Sequence, residues 1–138
     1  GLYDKHDQDL NYYKELLKNF TYKKMVCTNP DLVVDRGKKR EYCAGSVAMV
    51  FEKIGGEVIY FGKPFTEIYN QANKSNKKKI IAIGDNLRTD IKGANNMNYD
   101  SLIITTGIHN KEFEKQGIEK VLKNYNVKAT FSQSILRW

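Results

Sequence analysis

The sequence predicts an α/β fold: parallel strands with helices packed against them. Two observations carry this. The run Ile80-Ile81-Ala82-Ile83 is continuously apolar and ends in Gly84-Asp85, as a buried parallel strand does where it delivers a side chain to the carboxyl edge of a sheet. Strand-like runs alternate with helical stripes through the second half of the chain, a pattern that implies right-handed β-α-β crossovers.

Taken in order, Leu10, Tyr13, Leu16, Leu17 and Phe20 lie on one face of a helix over 8–20, with Asp7 or Asp9 available as its cap. Thr21 to Thr28 reads as a short strand. Asn29-Pro30-Asp31 is a turn, because proline fixes its own φ and disfavours helix at the preceding residue. Leu32-Val33-Val34 is a brief extended run closed by Asp35-Arg36-Gly37. Ala44, Val47, Ala48, Phe51 and Ile54 form a second helical face, which Gly55-Gly56 terminates. Glu57 to Phe61 is a strand and Gly62-Lys63-Pro64 a turn. Pro64 starts a helix whose buried stripe is Phe65, Ile68, Tyr69 and Ala72. A polar loop over 73–79 leads to the Ile80–Ile83 strand.

Thr89 onward is a helix with Ile91, Ala94 and Met97 inward, and Ser101 to Thr105 is a second buried strand. Lys111 to Lys123 is a single charged helix packing through Phe113, Ile118, Val121 and Leu122. Val127 to Phe131 is a last strand, after which Leu136 and Trp138 tuck back onto the body. The expected domain boundary lies near Tyr60, separating 1–60 from 61–138.

Bulk composition narrows the function classes. The chain has 138 residues, of which 41% are hydrophobic, enough for a modest core and too many for a disordered chain. No apolar stretch approaches a membrane span, and the N-terminus shows no basic region followed by an apolar one, as a signal peptide would. The two cysteines, Cys27 and Cys43, are expected as buried, reduced thiols, which points to the cytoplasm. The net charge of +7 is spread over the chain apart from Lys38-Lys39-Arg40 and Lys77-Lys78-Lys79, and these read as solvated runs. No zinc-knuckle, helix-turn-helix or RNP-like signature accompanies the charge, so no nucleic-acid partner is expected.

Three side chains stand out for chemistry. Asp85 sits where the carboxyl ends of strands converge, and Mg²⁺, which keeps several waters, needs only one or two such carboxylates. Asp90 follows five residues later, placed either to bind a metal-ligated water or to favour a helix start. Lys63 stands at a helix start, against the helix dipole, so an anion should compensate it: a phosphoryl group or an aspartate. His109 follows Gly107-Ile108 near the end of a core strand, where it could approach the site, and is expected in a surface loop.

Gly62-Lys63-Pro64, followed by Gly84-Asp85-Asn86-Leu87-Arg88-Thr89-Asp90-Ile91, resembles motifs III and IV of the haloacid dehalogenase (HAD) superfamily. Within it the sequence is similar to the class IIA, NagD-like phosphatases. Thr28-Asn29-Pro30-Asp31, Ala44-Gly45 and Thr105-Thr106-Gly107 extend the likeness, which runs over nearly the whole chain but covers only the C-terminal portion of such a protein.

The resemblance implies the second half of a Rossmann-like core, with the remainder of an α/β cap domain before it. It implies phosphomonoester hydrolysis through an aspartyl-phosphate, helped by Mg²⁺, on a small phosphorylated metabolite. By this similarity Asp85 is the metal ligand, Asp90 a supporting acid and Lys63 the cation that orients nucleophile and phosphate. Asn29, Asp31 and Asn86 belong to the substrate and cap interface.

The departure from the family pattern is the nucleophile. No Asp-x-Asp follows a buried strand in this sequence, and Asp4, Asp7 and Asp9 cannot replace it. The expectation is a truncated form, a proteolytic remnant or the product of an interrupted reading frame, inactive alone and binding Mg²⁺ weakly or not at all. The alternative is a non-catalytic HAD-derived fragment acting through packing or partner binding. In the family the absent strand lies beside Ile80–Ile83, so the free edge is expected either to self-associate or to repack locally.

Overall fold

The computed structural model describes residues 2, 5–74 and 79–137. Asp4, Lys77, Lys78 and Trp138, with the docking expected of Trp138, lie outside the described residues. The chain divides into two compact units, Gly1–Gly62 and Lys63–Trp138.

The first unit opens with α1 (Leu10–Leu17), extended by a 3₁₀ turn over Lys18–Phe20. Of the two acids proposed as its cap, Asp9 serves, its carboxylate accepting from the Tyr12 N–H at 3.0 Å. The expected apolar face is incomplete, because Leu16 and Phe20 are exposed. Strand β1 (Lys24–Cys27) pairs in parallel with β4 (Glu57–Tyr60), Lys24 opposite Glu57. Between them lie a hairpin, β2 (Val33–Arg36) with β3 (Lys39–Tyr42), and α2 (Ala44–Lys53).

The hairpin corrects the reading of 32–37 as an isolated extended run. Its second strand, Lys-Arg-Glu-Tyr, carries no apolar alternation and so gave no strand signal. Gly37, at φ 61°, makes the turn. α2 presents Gly45, Ser46, Ala48 and Phe51 to the core, with Ala44 outside, so its inward face is rotated from the expected one. Gly45 is the reason: a Cβ there would stand 2.2 Å from the Pro30 carbonyl oxygen, and the helix start lies directly on the Asn29-Pro30-Asp31 turn. Cys27 and Cys43 are buried free thiols.

The second unit begins at Lys63. α3 (Thr66–Ala72) starts two residues after Pro64 and leaves Phe65, Ile68 and Ala72 exposed, so the expected buried stripe reduces to a half-buried Tyr69. A three-stranded sheet follows in the order β5-β6-β7, all parallel: β5 (Ile81–Gly84), β6 (Asp100–Ile104) and β7 (Phe131–Gln133). β5 is an edge strand of this sheet, and Ile81 and Ile83 are 46% and 40% exposed, contrary to the buried strand expected.

After β5 a π turn (Leu87–Ile91) runs into α4 (Lys92–Asn96). The single helix expected over 111–123 is two, α5 (Asn110–Gln116) and α6 (Ile118–Asn124), broken at Gly117, whose φ is 79°. Leu87, Ile91, Ile103, Phe113, Val121 and Val127 form the core of the unit. β7 starts at Phe131 rather than Val127, whose side chain is core instead. Leu136 is exposed and does not tuck back.

Candidate active site

The carboxyl edge of β5 gathers three of the residues singled out above. β5 ends at Gly84 and the chain turns through Asp85 and Asn86. The Asp90 carboxylate folds back beneath this turn: its Oδ2 accepts from the backbone N–H groups of Asp85 (3.2 Å) and Asn86 (3.1 Å). The approach requires glycine at 84, since a Cβ there would lie 2.3 Å from the same oxygen. The other oxygen, Oδ1, accepts from Lys63 Nζ at 2.5 Å.

The anion facing Lys63 is therefore Asp90. That carboxylate is only 11% exposed and the lysine side chain 48%. Tyr69 packs beside the pair, and its hydroxyl lies against Gly93, where a Cβ would come within 1.8 Å. Burial, with the Asp90 charge adding and the Lys63 charge opposing, pushes this hydroxyl above its ordinary range.

Asp85 is held from a different loop. Its Oδ2 accepts from the Ile108 N–H at 3.0 Å, just after β6. Gly107 makes room for the contact, since a Cβ there would stand 2.1 Å from that oxygen. Among the described residues Oδ1 of Asp85 accepts no hydrogen bond. Asp85 thus offers one anchored and one open oxygen, the donor set of a monodentate ligand to a hard cation. Asp90 has both oxygens engaged in hydrogen bonds. Among the described residues no three His, Cys, Asp or Glu side chains cluster as a full metal cage; the Asp85 carboxylate is the kind of hard oxygen donor of which Mg²⁺ needs only one or two.

Asn86 Oδ1 accepts from the Arg88 N–H (2.9 Å) and caps the π turn. Asn29 and Asp31 belong to the first unit. There Asn29 Oδ1 accepts from the Asp31 N–H (3.3 Å), and the Asp31 carbonyl accepts from the Gly45 N–H (3.1 Å). A depression of about 930 Å³, lined by apolar as well as polar side chains (Leu122 and Val127 with Asn95, Asp100 and Lys128), lies at the amino end of β6, at the opposite end of the sheet from Asp85.

The burial of His109 differs from the sequence expectation. His109, expected in a surface loop, is 6% exposed. Its Nδ1 lies 2.8 Å from Glu112 Oε1, which also accepts from the Tyr125 hydroxyl (3.0 Å). Arg88 stacks over the Tyr125 ring at 4.9 Å. Burial raises the pKa of the Glu112 carboxyl, but the hydrogen bonds from His109 and Tyr125, with the charges of His109 and Arg88, outweigh it and hold the group below its ordinary range. The available sequence signal was His-x-x-Glu at a helix start, the spacing of a capping pair.

A parallel sheet that carries Asp85 at the end of β5, clasped from the loop after β6, with Asp90 folding back from the following π turn, is an α/β core with its candidate site at the carboxyl end of a strand. The family model described as HAD-hydrolase-like matches residues 60–128. This chain belongs to that HAD-like hydrolase family. A Brucella suis hydrolase of the haloacid dehalogenase-like family is 34% identical, with a TM-score of 0.69 over 79% of this chain and 44% of its own. A possible sugar phosphatase of the HAD superfamily from Cytophaga hutchinsonii is 26% identical, with a TM-score of 0.68 over 98% of this chain and 50% of its own. The 5′-nucleotidase YutF of Bacillus subtilis is 27% identical over 101 residues, 70% of this chain and 40% of that protein. The chain thus spans half or less of the length of each of these relatives.

Proposed function

We propose that the chain is the C-terminal portion of a Mg²⁺-dependent HAD phosphatase of the NagD-like class, acting on a small phosphorylated metabolite. In this reading residues 1–60 are the remainder of a cap domain and residues 61–138 the second half of the catalytic core. The observation that carries it is the joint placement of Asp85 and the Lys63–Asp90 pair at one strand end.

Asp85 holds the cation through its open oxygen. Asp90 fixes the turn and aligns the lysine. Lys63 lends its positive charge to a phosphoryl oxygen. Asn86, Asn29 and Asp31 contribute to the substrate and cap interface. The metal, when bound, neutralises charge on the phosphoryl oxygens. Two free buried thiols accord with a reducing, cytoplasmic setting. Among the described residues no helix is long and apolar enough to cross a membrane.

These 138 residues supply no strand-end Asp-x-Asp, so phosphate monoester hydrolysis is not expected from them alone. The test is p-nitrophenyl phosphate turnover with Mg²⁺, in this chain and in a form extended N-terminally by a strand ending in Asp-x-Asp. Turnover only in the extended form is expected. Turnover by the short chain that survives Asp85→Asn would contradict the reading.

A second reading, a non-catalytic fragment acting by association, is favoured by the exposed Ile81 and Ile83 on the edge strand β5. It predicts concentration-dependent dimerisation in sedimentation velocity that Ile83→Lys abolishes. A monomer across the whole micromolar range would remove it.

A further inference from the structure

We propose that His109 is a positioning residue for Asp85: with Glu112, Tyr125 and Arg88 it forms a brace that joins the two loops holding that carboxylate. The proposal deepens the metal-site reading above and rests on it for its functional meaning.

The brace is built as follows. A carboxylate can only accept, so His109 Nδ1 carries the proton given to Glu112. Nε2 is buried and has no hydrogen-bond partner among the described residues. The ring is instead wedged edge-on between Phe113 and Tyr125, with centroids at 6.3 and 4.8 Å. The backbone of the same residue is also fixed, its carbonyl accepting from the N–H groups of Glu112 and Phe113, both at 3.0 Å. Gly107, the residue before Ile108, is tied by its carbonyl to the Asn110 N–H at 3.0 Å. The Ile108 N–H therefore has little freedom except to face Asp85 Oδ2.

The other end of the brace reaches the loop after β5. Tyr125 gives its hydroxyl to Glu112 and its ring face to Arg88. Arg88 lies in the π turn between Asn86 and Asp90 and is fixed at its own N–H by Asn86. Tyr125 is thus the point where the segment carrying Asp85 and the segment gripping it meet. A buried imidazole with an orphaned nitrogen is a poor choice for packing alone, since a leucine would fill the space without the cost of desolvating that nitrogen. Its value lies in the donor at Nδ1 and in the fixed backbone on either side.

The test uses the full chain and three variants: His109→Leu, which keeps bulk and loses the donor; His109→Asn, whose amide N–H sits near the position of Nδ1–H; and Glu112→Gln, which leaves the histidine in place. Amide hydrogen exchange without metal is the first readout, and Mg²⁺ affinity from NMR shifts the second. The expected result for His109→Leu is a tenfold or greater loss of protection at Ile108, with Leu102 to Ile104 unchanged. Partial restoration is expected in His109→Asn, and a weaker loss in Glu112→Gln. Mg²⁺ affinity should fall at least fivefold in His109→Leu.

Unchanged protection at Ile108 in both His109→Leu and Glu112→Gln would overturn the proposal, as would a uniform loss across β6, which marks plain destabilisation. If His109→Leu does not fold, Glu112→Gln decides alone. If the parent chain shows no Mg²⁺-dependent shift while Ile108 responds as expected, the brace stands and the metal reading fails.

Discussion

Asp90→Asn destabilises the second unit by about 2–4 kcal/mol, and no rotamer of the new amide avoids it. The native carboxylate accepts on both sides: two backbone N–H groups at Oδ2 and the Lys63 ammonium at Oδ1. An asparagine has one acceptor and one donor end. If its oxygen faces the amides, its NH₂ faces an ammonium; if its oxygen faces the lysine, its NH₂ meets two N–H donors. Either way a nearly buried site holds donors against donors. Hydrogen bonds to charged groups contribute about 1.5–3 kcal/mol each, and leaving a buried partner unpaired costs its desolvation as well. Chemical denaturation of the variant checks the value, and Lys63→Met separates the two sides, since it removes only the exposed partner. Asp90→Asn with unchanged stability would mean that the carboxylate does not hold the turn.

Asp85→Asn has the largest expected effect on binding and little on stability. Oδ2 keeps its Ile108 N–H if the asparagine oxygen takes that position, so the loop is retained. What is lost is the charge and the open oxygen, replaced by an NH₂ that cannot ligate a cation. With one carboxylate available, the parent chain should bind Mg²⁺ with a Kd on the order of 1 mM, the range of weak oxygen sites. Altering groups that merely orient a metal ligand typically costs about 10–100-fold in affinity, so removing the ligand itself should exceed about tenfold. Isothermal calorimetry is insensitive at such affinities, and amide shifts in an NMR titration are the suitable measure.

How much of this was legible in the sequence depends on the kind of signal each element carries. The β5–turn–Asp90 segment could be read because its apolar run, its glycine and its two acids state the same geometry at once. The need for an anion beside Lys63 was read from an expected helix start that in fact begins only at Thr66, and the sequence left a phosphoryl group and an aspartate both open where the structure pairs it with Asp90. The exposure of Ile81, Ile83, Phe65 and Ile68 could not be read, because periodicity shows which residues share a face and not what covers that face. β3 was invisible because its residues, Lys39-Arg40-Glu41-Tyr42, hide a buried Glu41 between basic side chains instead of an apolar alternation. The break at Gly117 was hidden by a charged helical pattern that continues on both sides of it. Gly107 and His109 could be placed after the second core strand, but their roles could not be read, because they depend on a contact across 23 residues, from Ile108 to Asp85, which no local pattern encodes.

The central claim is that Asp85, gripped by the loop after β6, is the cation-binding acid of an incomplete HAD site. A ¹H–¹⁵N NMR titration of the chain with Mg²⁺, repeated on Asp85→Asn, tests it most directly. The account predicts shifts confined to the amides of 84–90 and 105–109, saturating at millimolar metal and absent in the variant. Shifts of equal size in the variant, or shifts only at other acids with residues 84–90 and 105–109 silent, would contradict it.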